Sequence, residues 1–283
     1  MLGAVLATGA VGLLVLGVVR TDTHGLDSPA TWAVLVAAAV LLAAFIAVES
    51  MAPAPLLRLG LLRSRWIASA NLLVFLSTAG QFAAFYFVSL YTQQVLGMGA
   101  AATGTAFLPF SASLIAGSLV ATRVTATSTP RTSLVPGTLL AAMGLAWFAF
   151  ISPDGGFVTD VLGPCIVTGV GVGLVIAPIV AAATAGVSPP REAGMASGLM
   201  SSSRQLGGCI GLASLTTIAT HRTGTDTTRA AINEGYTLGL AIAAVFFLLA
   251  AAVAIGMLPR RRTETPAPRP ATTAQNRLKG TPS

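Results

Sequence analysis

Apolar runs of roughly 17 residues or more, long enough to cross a hydrocarbon core about 30 Å thick, recur eight times along the chain. They lie at about 3 to 19, 31 to 48, 68 to 92, 102 to 121, 132 to 151, 160 to 182, 194 to 219 and 235 to 258. Each is bounded by a short polar, basic or Gly/Pro-containing stretch. With no water in the bilayer to satisfy backbone groups, each run is expected to be a helix, which predicts an all-α polytopic membrane protein of about eight transmembrane helices.

Composition agrees with the pattern. Only 9% of the residues are charged and 54% are hydrophobic, against roughly 25% charged in soluble domains. The net charge of +7 does not point to nucleic acid, because the basic residues sit between apolar runs rather than interleaved with aromatics. Topology accounts for them instead. Arg58, Arg63, Arg65, Arg123, Arg131, Arg191, Arg260, Arg261, Arg262, Arg269, Arg277 and Lys279 fall on the side of the C-terminus, and Arg20, Arg222 and Arg229 on the other. Twelve against three predicts a multi-pass membrane protein with both termini of this chain cytoplasmic.

Three organisational units are expected. Residues 1–66 hold two apolar helices and a segment, ESMAPAPLLRLGLLRSRW, whose alternating leucines and arginines read as a cytoplasmic interfacial helix. Residues 67–258 hold six spans. Residues 259–283 lose their apolar positions and read as a disordered cytoplasmic tail. The linkers TDTHGLDSPA and SPDGGFVTD read as plain connectors on the opposite side.

The third run, ANLLVFLSTAGQFAAFYFVSLYTQQ, is rich in aromatic and polar residues. Gln81 falls near mid-depth, where an unpaired amide is unfavourable, so it is expected to bond across helices or to face a cavity. Phe82, Phe85 and Tyr86 beside it are candidate apolar contacts for a bulky ligand, with Asn71 a further polar candidate; a packing helix with lipid-facing aromatics is the other reading. The sixth run carries Gly163, Gly169, Gly171 and Gly173 with Pro164 and Pro178, a pattern that suits either a bend or close static packing.

The seventh run, GMASGLMSSSRQLGGCIGLASLTTIA, holds one charge, Arg204. It lies about ten residues from the nearest polar flank, near the middle of the bilayer, where a charge costs about 2.5 kcal/mol or more on insertion scales. Two readings stand: a structural arginine bonded to neighbouring carbonyls and hydroxyls, or a direct part in binding or switching. Ser203, Gly207 and Gly211 recur every four residues and predict a helix-packing seam beside it.

The segment ASGLMSSSRQLGGCIGLA, preceded by PPREAGM, resembles the penultimate span of the fourteen-span drug:proton antiporters of the major facilitator superfamily. PAPLLRLGLLRSRWIASANLL resembles the cytoplasmic linker into their second six-helix half. GSLVATRVTATSTPRTSLVPG keeps Gly117, Arg123, Arg131 and Gly137 of the superfamily's loop motif but lacks its Asp-Arg pair. The resemblance implies two linker spans plus one six-helix half, the C-terminal portion of a multidrug efflux permease of the plasma membrane, with an N-terminal half that is missing, separate, or supplied by self-association of this chain. It implies small-molecule substrates and protons as what is moved, with the lipid bilayer as surroundings.

The acids nearest the spans, Glu49 and Asp160, sit at span ends, so proton handling is expected to lie outside this chain. Cys165 and Cys209 lie in apolar runs and read as small buried residues, and His24 and His221 as isolated loop residues, so no metal or cofactor is expected. With no nucleophile and base pair and no phosphate-binding glycine loop, the chain is not expected to be an enzyme. His221, Arg222 and Asp226 are expected to be solvated. The alternative to a transporter is a non-transporting subunit or scaffold that pairs with another helical half.

Overall fold

In the computed structural model, residues 2–24, 28–51, 65–184 and 190–257 are described, and every regular element among them is helical. The order is α1 (Leu2–His24), α2 (Pro29–Met51), α3 (Arg65–Leu90), α4 (Ala100–Ala106), α5 (Leu108–Thr127), α6 (Arg131–Phe148), α7 (Gly163–Thr184), α8 (Pro190–Thr223) and α9 (Arg229–Met257). Short π-helical turns continue α3 over Tyr91–Val95 and lead into α7 over Phe157–Leu162. The interfacial segment and the C-terminal tail expected from the sequence lie outside the described residues.

Each expected apolar run holds a helix, with α4 and α5 sharing the fourth. Pro109 explains that break: it has no N–H to offer the Thr105 carbonyl one turn earlier, so the helix restarts after Phe107. By length and apolarity, five segments among the described residues suffice to cross a membrane: 29–48, 67–95, 100–127, 157–179 and 229–256. The apolar stretch of α1 is shorter, α6 has 18 residues and opens on Arg131, and α8 is diluted by its serines and Arg204.

Several boundaries differ from the expected ones. His24 ends α1, and His221 and Arg222 lie in the last turn of α8 rather than in loops. Gly224 then closes α8 with φ +64° and its N–H on the Thr220 carbonyl at 2.9 Å, the left-handed stop that glycine adopts without strain. Asp226 is occupied in the turn, accepting the Thr228 N–H at 2.9 Å, while the Thr228 hydroxyl accepts the Ala231 N–H at 3.3 Å as an N-cap. Arg222 pairs with Glu234 at 3.0 Å, with both side chains well exposed.

The six helical spans from α3 to α9 interlock as two runs of three. The first helix of each run packs on the second and third of the other: α3 on α8 and α9, α7 on α5 and α6. This is the contact pattern of an inverted three-helix repeat. Glycine makes it possible. Gly169 and Gly173 of α7 lie against the backbone of α5, and Gly171 against Ala141 of α6, so closely that a side chain would collide with main-chain atoms. Of the two readings of this glycine-rich helix, the geometry carries close packing. Pro178 frees the Leu174 carbonyl inside the same helix, and the Ser133 hydroxyl of α6 donates to that carbonyl at 2.8 Å. The first two helices pack on one another, and α1 also meets α8.

The connector SPDGGFVTD is not plain. The Tyr91 hydroxyl, fully buried at the end of α3, donates to the Ser152 carbonyl at 2.8 Å and to Asp160 at 3.2 Å. Asp160 also accepts the Ser152 N–H at 2.9 Å, and Asn233 of α9 donates to the Ile151 carbonyl at 2.9 Å. The loop thus ties α3, α7 and α9 together at the end of the bundle opposite Arg65 and Arg131. Replacing Tyr91 by Phe removes the buried donor while keeping the ring. The expected loss is about 1 kcal/mol of stability, read as a lower thermal midpoint of the purified protein.

Candidate functional site

Helices α3 and α7, each first in its run of three, face one another across a cavity of about 270 Å³ closed by α8 and α9. Val74, Ser77, Thr78, Gln81 and Phe82 line it from α3, and Val172, Val175, Ile176 and Ile179 from α7. Both sets follow the i, i+3/i+4, i+7 spacing of one helical face. Phe247 closes the side toward α9, and Arg204 of α8 supplies the single charge among the described lining residues.

Gln81 is half-buried and Arg204 exposed. Neither has a hydrogen-bond or ion-pair partner among the described residues. Thr78 satisfies itself, donating to the Val74 carbonyl at 2.7 Å. Ser77 does not: its hydroxyl is buried without a partner among the described residues. Three polar groups of differing strength therefore stand at an otherwise apolar cavity, the usual composition of a small-molecule site.

The sequence-predicted residues divide around this cavity. Gln81, Phe82 and Arg204 meet in it. Phe85 turns toward a small void of about 20 Å³ that Gln81 also borders, stacking on Phe107 at 5.1 Å and edge-on to Phe110 at 4.7 Å. Tyr86 lines a separate cavity of about 280 Å³ near the opposite end, beside Gln94 and Tyr236, whose hydroxyl donates to Gln94 at 2.7 Å.

Asn71 lies away from all three. It is buried in the interface of α3 with α8, donating to the Ile67 carbonyl at 2.8 Å and accepting the Ser203 hydroxyl at 2.8 Å. Its amide is consumed by packing. Gly207 sits over Phe75 and Thr78 and Gly211 over Ala79 in the same interface, one and two turns beyond Ser203. Cys165 is buried and Cys209 half-buried, both as free thiols.

Ser77, Ile176, Ile179 and Phe247 are cavity residues that sequence reasoning missed. Ser77 precedes Gln81 by one helical turn, so helical spacing was a usable signal for it. The α7 stripe carries no polar mark and looks like any apolar helix face.

The sequence that builds this bundle is similar to those of known proteins. Residues 1–212 match the Major Facilitator Superfamily. The chain belongs to the major facilitator superfamily. Among curated members, it is 35% identical over 267 residues to the cephamycin export protein of Amycolatopsis lactamdurans, covering 93% of this chain and 54% of that protein. It is 32% identical over 271 residues to the puromycin resistance protein of Streptomyces alboniger, covering 92% and 54%. A multidrug resistance protein of Mycobacterium tuberculosis is 31% identical over 214 residues, covering 75% and 39%. The chain spans about half the length of the curated relatives it matches. As a superfamily member it is a multi-pass membrane protein.

Proposed function

We infer that this chain forms the six-helix C-terminal half, with two linker helices, of a proton-coupled exporter of drugs or other small amphipathic molecules in the plasma membrane. The observation that carries the reading is the cavity between α3 and α7, apolar on its walls and marked by Gln81 and Arg204. An amphipathic compound needs that combination: apolar surface to leave water and a few polar groups to fix its orientation. The export and resistance activities in the names of the relatives supply the direction.

Alternating access in such carriers is a rocking of one helical unit against another about a midplane site. Arg204 and Phe82 are exposed on the cavity's open side, so a second six-helix unit is the natural cover. None of the described lining residues is acidic, so the embedded titratable group that proton coupling requires is assigned to that second unit. Arg204 is then the pivot of binding or coupling, and Gln81 the orienting amide. Phe82 is the apolar contact, while Phe85 and Tyr86 support the helix from neighbouring voids.

The test is substrate accumulation in pump-deficient cells producing this chain fused behind the N-terminal half of the puromycin-resistance relative. Lower accumulation that a protonophore reverses is the expected result. Efflux untouched by collapse of the proton gradient would remove the coupling claim.

A further inference from the structure

The charge balance of the cavity narrows the substrate class, on the footing that this cavity is the transporter's substrate site. We propose that it selects amphipathic anions: molecules with an apolar body and one carboxylate-like or sulfonate-like group, in preference to lipophilic cations of the same shape. Arg204 is the single charge among the described lining residues, none of which is a carboxylate that could balance it. A guanidinium is always protonated and carries five donors and no acceptor, so its partner has to be an acceptor, best a planar anion held by two parallel bonds. Arg204 has no such partner among the described residues.

The neutral groups add donors that an anion can use, and they have acceptors as well. The Ser77 hydroxyl is buried without a partner among the described residues, and the Gln81 amide, likewise unpaired, offers two donors. Around them Val175, Ile179 and Phe247 give an apolar wall for the body of the ligand. A cation placed there meets a like charge, with no carboxylate among the described lining residues to offset it. An anion meets one full charge and further donors.

An anionic lipid headgroup carries the same chemistry. Depth argues against it. Arg204 follows the start of α8 at Pro190 by fourteen residues, about 21 Å along the axis and well inside the level of lipid phosphates. The assignment is therefore to a small amphiphile that enters the cavity.

The test uses the full chain in nanodiscs of zwitterionic phosphatidylcholine. Calorimetry measures binding of two probes matched in size and opposite in charge, naphthoate and naphthylmethylammonium. Naphthoate is expected to bind at least about tenfold more tightly, the scale of one charge-assisted pair. Arg204→Gln should bring the two within about twofold, Arg204→Lys should keep part of the preference, and Ser77→Ala should weaken naphthoate binding while leaving the preference in place.

Equal binding, a preference for the cation, or no naphthoate binding by a chain with normal thermal unfolding overturns the proposal. Preference that persists when phosphatidylglycerol is added to the discs supports it. Loss of naphthoate binding to that lipid assigns the site to headgroups and overturns the small-molecule assignment. Charge-blind binding of both probes would leave the transporter reading standing; that reading fails instead if the fused, inserted protein extrudes nothing.

Discussion

Replacing Arg204 by Ala is expected to abolish transport by the completed protein, lowering efflux at least about tenfold to background, while leaving insertion and abundance near those of the parent. The two halves of this expectation have separate physical causes. Arg204 is exposed on the cavity rim and makes no hydrogen bond or ion pair among the described residues, so its removal strips nothing from the folded bundle. Insertion should if anything ease, since a charge at the centre of a span costs about 2.5 kcal/mol or more. Function is another matter, because the substitution takes away the single charge among the described lining residues. Transport assays paired with quantitative blotting of the membrane fraction separate the outcomes. Degraded, poorly inserted protein would mean that the arginine holds helices together rather than handling substrate.

Replacing Gly211 by Leu is expected to do the reverse, removing the folded protein rather than its activity. An added Cβ would lie 2.5 Å from the Ala79 Cβ and 2.7 Å from its carbonyl oxygen. Those are atoms of α3's main chain and of a side chain with no torsion to relieve the clash, so α3 and α8 have to separate along their length. Overpacking of a core costs typically about 1–3 kcal/mol, and here a whole helix pair moves, including the Asn71 to Ser203 bond two turns away. The expected loss is about 3 kcal/mol or more, seen as loss of monodisperse protein on size-exclusion chromatography. Gly194 on the same helix is the control: a Cβ added there would meet nothing within 4 Å, so Gly194→Leu should leave the chain's own stability nearly unchanged.

These two residues also show how far the sequence could be read. Gly211 belongs to a four-residue repeat of small residues, and such a stripe on an apolar helix has one common use, so its contact with α3 was legible. Arg204 was legible as an anomaly, a charge at mid-depth. Its neighbours were not. Asn71 and Gln81 are both amides in one apolar run, and nothing in their local pattern distinguishes them. Only the rotation of α3 against α8 turns Asn71 into the seam and leaves Gln81 at the cavity.

The connector between α6 and α7 shows a different limit. Its glycines and aspartates read as a solvated turn, and that is how chain-local reasoning treats them. Tyr91 reaches it from 61 residues away, and Asn233 from 82. Such pairings depend on which helix ends the bundle brings together. The break at Pro109 was in principle readable, since a proline inside an apolar run deletes a backbone bond wherever it falls. It was obscured because the apolar pattern continues unbroken across it. The close approach of Gly169, Gly171 and Gly173 needed the structure too, because glycine density alone suits bending and packing equally.

The measurement that bears most directly on the central claim is accumulation of a panel of amphipathic dyes and antibiotics in pump-deficient cells. The cells produce this chain either alone or fused behind the N-terminal half of the puromycin-resistance relative. The half-transporter account predicts lowered accumulation with the fused protein, restored by a protonophore, and no change with the chain alone. Extrusion by the chain alone at the level of the fusion, or none by a fusion that is abundant and correctly inserted, would contradict it.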